Sequence, residues 1–179
     1  ENTSASRSDG YRNLKFHNHD ATIAGIDIAA KRQIFKNTSL GNYDLFAKFN
    51  YQRGRNLDNS TDLYNLMPAN LSLGLNHAKN NWKNSFVVKL VDKKDKVDTV
   101  RQERETSSFA VADFYTSYQL QSFEVVGSIE NIFDRMHDNP LGGEYIGQGA
   151  TMSTGVSRAT GTQTPGIGRS INISIAYLF

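Results

Sequence analysis

The chain has 179 residues, a formal net charge of +2 and no cysteine. Its 20 basic and 18 acidic residues nearly balance, which argues against a nucleic-acid-binding surface, and the missing cysteines exclude disulfides and thiolate metal sites. No apolar run approaches the roughly 20 residues of a membrane-spanning helix. The mean hydropathy of −0.52 still permits a membrane barrel, because half of each barrel strand faces water.

Seven segments alternate between apolar and polar residues, and this pattern predicts seven β-strands. In chain order they are residues 21–31, 41–55, 70–77, 82–92, 109–120, 123–133 and 169–179. The last segment shows the alternation most clearly, with Ile171, Ile173, Ile175, Tyr177 and Phe179 on one face. Their lengths are close to the 9–11 residues of a tilted transmembrane strand. An edge strand of a soluble sandwich is the alternative for the last segment alone.

The predicted connections alternate between short and long. Short turns are expected at residues 36–40, 78–81 and 121–122, and long polar loops at 56–68, 93–108 and 134–168. Outer-membrane barrels combine short periplasmic turns with long extracellular loops. This pattern predicts that the long loops are extracellular and that the short turns and the C-terminus are periplasmic.

Aromatic residues cluster near the predicted strand ends, where two interfacial girdles are expected. One set lies beside the short turns and the C-terminus: Tyr43, Trp82, Tyr118, Phe123, Tyr177 and Phe179. The other set, at the long-loop ends, is Tyr51, Phe109 and Phe133. Ordinary strand-forming aromatic residues would give a similar distribution.

The odd number of predicted strands is informative. Bacterial single-chain barrels have even numbers of strands, and an open sheet in lipid would expose two unsatisfied edges. We therefore expect residues 1–179 to be part of a larger barrel, as a fragment or as a proteolytic product docked to its other half. A strand count that is wrong by one is the alternative.

Four short segments carry a family resemblance. They are Thr-Ile-Ala-Gly-Ile-Asp at 22–27, Leu-Tyr-Asn-Leu-Met-Pro at 63–68, Val-Val-Gly-Ser-Ile-Glu-Asn-Ile-Phe-Asp-Arg at 125–135 and Pro-Gly-Ile-Gly-Arg at 165–169. Their order and spacing resemble motifs in the barrel of TonB-dependent outer-membrane receptors, over almost the whole chain. Asp27 stands where the family favours Glu, and Asp62 where a Pro is common.

The resemblance implies an all-β fold, a transmembrane antiparallel β-barrel of roughly 22 strands of which this chain supplies about seven C-terminal ones. It implies energy-coupled uptake of a scarce ligand across a Gram-negative outer membrane. Expected partners are the plug domain and N-terminal barrel strands of the same receptor, the TonB complex, outer-membrane lipids and lipopolysaccharide. Tyr177 and Phe179 match the terminal signal that the barrel assembly machinery reads.

Candidate metal ligands lie in the predicted external segments. Imidazole and thioether groups suit copper and related metals, and the candidates are Met136, His137, Met152, His17 and His19. Solvated loop residues are the alternative, because spacing alone does not build a metal site. Together with a likeness of residues 140–149 to a branch of the family, they suggest import of a metal or a metal chelate. His77, beside a short turn, is predicted to lie at the membrane interface.

Charged residues raise two further possibilities. The mixed charges of residues 93–105 could bind lipopolysaccharide phosphates or an anionic ligand, although a hydrated loop explains them as well. Charges on the polar faces are expected to bond one another and the plug, or to line a transport path: Asp27, Asp44, Lys48, Lys89, Asp113, Glu124 and Glu130.

Enzymatic activity is not expected, and neither is a cofactor. The sequence has no Gly-x-Ser-x-Gly elbow, no His-Glu-x-x-His motif and no Walker loop, so we name no catalytic residue. A passive porin-like channel is the first alternative function, and an outer-membrane adhesin or enzyme barrel is the second.

Overall fold

A computed structural model describes residues 18–99, 101, 103–145 and 161–177, and its secondary structure consists of β-strands. The strands are β1 (Ala21–Thr38), β2 (Gly41–Asn56), β3 (Asn70–Lys79), β4 (Trp82–Val91), β5 (Phe109–Leu120), β6 (Phe123–Glu130), β7 (Glu144–Tyr145), β8 (Thr162–Gln163) and β9 (Ser170–Tyr177). Seven of them form one sheet in the order β1-β2-β3-β4-β5-β6-β9, with every neighbour antiparallel. The predicted all-β class and the seven-stranded antiparallel sheet are confirmed.

No helix in the described ranges is long and apolar enough to cross a membrane.

Two strand ends differ from the prediction by three residues or more. β1 continues to Thr38, because residues beyond 31 keep pairing with β2 through two register shifts on either side of Phe35. β6 ends at Glu130, because Asn131 adopts a positive φ of 49° and sends its backbone N–H to a side chain of β5. The turn between β1 and β2 is therefore shorter than predicted, and Phe133 lies outside β6.

Three long connections lie at one end of the strands, which we call the long-loop end of the sheet. We call residues 57–69 loop A, the described residues of 92–108 loop B and the described residues of 131–169 loop C. Loop C contains β7 and β8, which pair as a small separate sheet that the sequence pattern did not predict. The opposite end of the strands, the short-turn end of the sheet, carries the short connections between β1 and β2, β3 and β4, and β5 and β6.

The strand register keeps apolar and polar side chains in separate rows across the sheet. One apolar row runs through Leu45, Leu75, Phe86, Phe114, Ile129 and Ile171. The neighbouring polar row runs through Asp44, Asn76, Ser85, Tyr115, Ser128 and Asn172. Because side chains alternate along a strand, each row continues one face of the sheet. The predicted division into an apolar face and a polar face is confirmed.

The apolar face has no second layer among the described residues. Ile171, Ile173 and Ile175 of β9 are 69%, 76% and 69% exposed. A soluble sandwich would cover such a row with the inner face of a second sheet. The apolar face therefore needs an apolar environment from outside the described part of the chain.

Aromatic rings form contacts along the short-turn end of the sheet. The ring centroids are 6.1 Å apart for Phe35 and Tyr43, 4.8 Å for Trp82 and Tyr118, and 5.0 Å for Phe123 and Tyr177. This arrangement agrees with the girdle predicted beside the short turns. Phe179 lies outside the described residues.

His77 lies at the same short-turn end of the sheet and on the apolar face, as predicted. Its Nε2 is 2.8 Å from the Leu40 carbonyl oxygen, and its Nδ1 is 3.0 Å from Asn84 Nδ2. The Thr116 hydroxyl in turn donates to Asn84 Oδ1 at 2.7 Å. Since Asn84 Nδ2 can only donate, Nδ1 of His77 accepts and Nε2–H donates to Leu40.

Phe46 interrupts the alternation of β2 for a steric reason. Its ring lies on the polar face over Gly74, where an added Cβ would come within 2.2 Å of Phe46 Cζ. Gly74 therefore leaves the space that the aromatic ring occupies.

Gly74→Ala is expected to destabilise the folded protein by about 1–3 kcal/mol, because the added methyl group must displace the Phe46 ring. Urea unfolding would measure the change. Gly127→Ala is the matched control, since its nearest contact would be Thr116 Cγ2 at 3.4 Å. If Phe46→Ala fails to relieve the cost of Gly74→Ala, the proposed steric conflict is wrong.

Candidate functional site

A polar network lies on the polar face, near the long-loop end of the sheet. Asp113 is only 2% exposed, and its Oδ2 is 2.7 Å from Lys89 Nζ. The Tyr115 hydroxyl is 3.5 Å from both Asp113 Oδ2 and Glu130 Oε1. The predicted pairing of polar-face charges is confirmed at Lys89 and Asp113, and Asp44 also pairs with Lys31 at 3.2 Å.

Asn131 joins the two ends of loop C, and we call this junction the neck of the loop. Its backbone N–H donates to Asp113 Oδ1 at 2.9 Å, which anchors the start of the loop on β5. Its Nδ2 donates to the carbonyl oxygens of Arg135 and Ile167 at 2.9 and 3.0 Å, and its Oδ1 accepts from Arg135 N at 2.8 Å. One side chain, 4% exposed, thereby joins both ends of the loop.

Asp134 makes a second neck contact, since its Oδ1 accepts a hydrogen bond from Arg169 N at 2.9 Å. Both Asn131 and Asp134 have positive φ values, of 49° and 52°. Asn and Asp tolerate this conformation better than most residues. These contacts give a structural reason for the two polar residues in the motif at 125–135.

His137 folds back over the polar face. Its ring stacks on Phe109 with 4.1 Å between centroids, and its Nδ1 is 3.0 Å from the Arg135 carbonyl oxygen. Gly166 lies next to the imidazole, and an added Cβ there would come within 2.0 Å of His137 Nε2. The missing side chain at Gly166 therefore makes room for the imidazole.

Phe109 corrects one sequence prediction. It pairs with Val91, and the alternation along β5 places it on the polar face with Asp113. The ring therefore packs beneath loop C and does not join a lipid-facing girdle.

A cavity of about 330 Å³ lies between the polar face and loop C. Its walls include Lys89, Asp113, Glu130, Asn131 and His137. Its lining thus combines acidic, basic and imidazole groups with apolar side chains, from three strands and from loops A and C. Such a lining can bind a polar solute by hydrogen bonds and charge.

The structure does not gather the candidate metal ligands into one described site. Met136 is 89% exposed, and the neighbouring His137 is held by the ring and backbone contacts given above. His19 lies at the β1 end of the sheet, with Nδ1 3.2 Å from Asp58 Oδ2. His17 and Met152 lie outside the described residues. Within the described part of the chain, no group of three His, Asp or Glu side chains could hold a metal ion.

Loop B contains exposed charges and buried charges side by side. Exposed Lys93 and Asp95 pair at 2.9 Å. Their hydrogen bond raises the pKa of Lys93 and lowers the pKa of Asp95. Lys94 and Glu103 are buried instead, with side chains 2% and 6% exposed. The prediction of a hydrated loop therefore holds for the exposed pair Lys93–Asp95 and is wrong for the buried pair Lys94–Glu103.

Loops B and C also meet through the small sheet of β7 and β8. Arg104 Nε lies 2.8 Å from Glu144 Oε2, and Gln163 Nε2 donates to the Glu105 carbonyl oxygen. The pairs Glu144–Gln163 and Tyr145–Thr162 form the sheet itself. This small sheet has no signal in the sequence, because two-residue strands show no alternation.

Three features are typical of a section of an antiparallel barrel. The sheet has two distinct faces, aromatic contacts lie at its short-turn end, and long loops lie at the other end. No family model matches the sequence, and no curated protein matches it.

Solved structures do match. A copper transporter, OprC, superimposes with a TM-score of 0.76 at 19% identity, over 90% of this chain and 25% of that one. The ferric yersiniabactin uptake receptor FyuA from Yersinia pestis superimposes with a TM-score of 0.60 at 14% identity, over 87% of this chain and 23% of that one. The chain therefore shares its antiparallel β-sheet fold with part of each of these two structures, in agreement with the sequence resemblance. It spans about a quarter of the length of each structure.

Proposed function

We propose that this chain forms the C-terminal part of the barrel of a TonB-dependent outer-membrane receptor that imports a metal or a metal chelate. The observation that carries the proposal is the two-faced seven-stranded sheet, whose fold matches a copper transporter and a ferric yersiniabactin uptake receptor. In this proposal the apolar face contacts lipid and the polar face lines the barrel lumen.

The sheet edges support a larger barrel. Among the described residues, β1 and β9 each pair with one neighbour only. An unpaired edge is costly in lipid, since backbone groups there have no water to bond. We propose that N-terminal strands of the same receptor complete the barrel and that its plug domain faces the lumen. Loops A, B and C would then be extracellular, and the short turns periplasmic.

The ligand would reach the cavity under loop C after passing the external loops. His137 forms part of that cavity, and Met136 precedes it on the exposed surface. Direct metal binding by Met136, His137, Met152, His17 and His19 is a narrower hypothesis within the proposal. Import of an intact chelate would need polar contacts from the lumen and no protein ligand to the metal.

Other partners follow from the proposed location. TonB would supply energy through parts of the receptor other than this chain, and lipids and lipopolysaccharide would surround the apolar face. Tyr177 and Phe179 would serve as the signal for the barrel assembly machinery. We propose no catalytic residue and no cofactor.

Uptake in cells tests the proposal. A strain lacking the gene that contains this chain should accumulate less labelled copper, or less labelled ferric chelate, than the same strain complemented with it. The uptake should disappear when TonB is removed. Uptake that persists without TonB and rises in proportion to external concentration would indicate a passive channel and overturn the proposal.

His137→Gln separates the two forms of uptake. If the imidazole binds the metal, this variant should reduce uptake of the free metal ion and leave the chelate unaffected. Leu141→Ala is the control in the same loop, since Leu141 is 43% exposed and is not among the residues that line the cavity. Equal uptake of the free ion by the His137 variant and the control would remove His137 from the metal hypothesis.

A further inference from the structure

We infer that the buried Lys94–Glu103 pair locks loops A, B and C into one unit that opens as a whole. Lys94 Nζ lies 2.6 Å from Glu103 Oε1, and the same ammonium group donates to the Pro140 carbonyl oxygen of loop C at 2.7 Å. The Glu103 carboxylate accepts from the backbone N–H of Asn65 in loop A at 2.9 Å. Two side chains of loop B therefore contact both other loops.

The pair is also fixed within loop B. The other Glu103 oxygen, Oε2, accepts from Asp98 N at 2.8 Å, and the Glu103 N–H donates to the Asp98 carbonyl oxygen at 3.1 Å. The backbone of Lys94 exchanges hydrogen bonds with Thr106 at 2.9 and 3.2 Å. Neither charge can therefore move toward one neighbouring loop without breaking contacts in its own.

Burial makes this junction cooperative. A buried ion pair that loses one partner leaves an uncompensated charge out of water, whereas an exposed pair contributes little. If loop A or loop C moved away, Glu103 or Lys94 would lose a hydrogen-bond partner while still shielded from solvent. Opening one loop is therefore coupled to hydrating the pair, and hydrating the pair releases the other two loops.

The joint opening of the three loops is independent of what the receptor imports, and backbone protection can be measured with no ligand present. Failure of the proposed uptake function would leave it intact, and its own failure would leave the uptake proposal intact.

Amide hydrogen exchange on the mature protein that contains this chain, in detergent micelles, tests it. Lys94→Met should speed exchange at least about tenfold in loops A, B and C together. Glu103→Gln keeps the side-chain shape and should act in the same direction with a smaller effect. Asp95→Asn is the control, because Asp95 belongs to the exposed pair in the same loop. Faster exchange confined to loop B would overturn the inference.

The wild-type protein gives a second test that requires no variant. In low urea, the amides of Asn65, Lys94 and Gly142 should share one opening free energy, since each is hydrogen-bonded and they belong to loops A, B and C. Three different opening free energies would show that the loops open independently.

Discussion

Replacing Ile173 with arginine is expected to destabilise the folded protein in a bilayer by about 2–4 kcal/mol. Ile173 lies on the apolar face of β9, 76% exposed and paired with Gly127. It is four residues from Tyr177, and at about 3.3 Å per residue this distance places Ile173 away from the aromatic girdle and toward the middle of the proposed membrane span. A guanidinium group there would have to leave water for hydrocarbon.

Ser174→Arg is the matched control. Ser174 pairs with Val126 on the opposite face, where water in the lumen of the proposed barrel would hydrate the new charge. Equilibrium unfolding in lipid bilayers would compare the two variants of the mature protein. Equal stability would contradict the assignment of the two faces, whatever the identity of the transported ligand.

Asn131→Ala is expected to destabilise the protein by about 2–3 kcal/mol, chiefly at the neck of loop C. The change removes three side-chain hydrogen bonds that join Arg135 and Ile167. A buried polar group left without a partner costs about 1–3 kcal/mol, although water can reach part of this region. Alanine also tolerates the positive φ of residue 131 less well than asparagine.

Asn80→Ala controls for the backbone contribution. Asn80 has a nearly equal φ of 50° but lies exposed in the turn between β3 and β4. The difference between the two variants in denaturant unfolding therefore isolates the hydrogen bonds of the neck. Indistinguishable losses would mean that Asn131 acts through its backbone conformation alone.

The strands of the large sheet could be predicted because their signal is local. Period-two alternation reports the two environments of a strand directly, so the apolar rows through β3, β4 and β9 were visible in the sequence. The end of β1 was missed because its last residues pair with β2 despite losing the alternation. Pairing with a neighbouring strand thus outweighed the local pattern.

The candidate site was less predictable, because its contacts join residues far apart in the sequence. In the sequence Lys94 and Glu103 resemble the exposed charges around them, but in the folded chain they are buried and contact Asn65 and Pro140. His137 was identified as a candidate ligand, whereas its stacking on Phe109 depends on how loop C folds back. No local signal encodes either arrangement.

The asparagine and the aspartate of the loop C neck lie between these cases. Their motif drew attention to Asn131 and Asp134 without giving a reason. The hydrogen bonds to Arg135, Ile167 and Arg169 supply that reason, since they hold both ends of one loop beside β5 and β6. The motif can therefore be understood as a loop closure that serves the fold.

The most direct test of the account is a scan of probe accessibility along β9 in the membrane-embedded protein. The chain contains no cysteine, so single cysteines can be placed at Ile171, Asn172, Ile173, Ser174 and Ile175 and spin-labelled. Labels at the three isoleucine positions should collide with dissolved oxygen, which concentrates in lipid. Labels at Asn172 and Ser174 should collide with a water-soluble nickel chelate. The same response at all five positions would contradict a barrel strand between lipid and lumen.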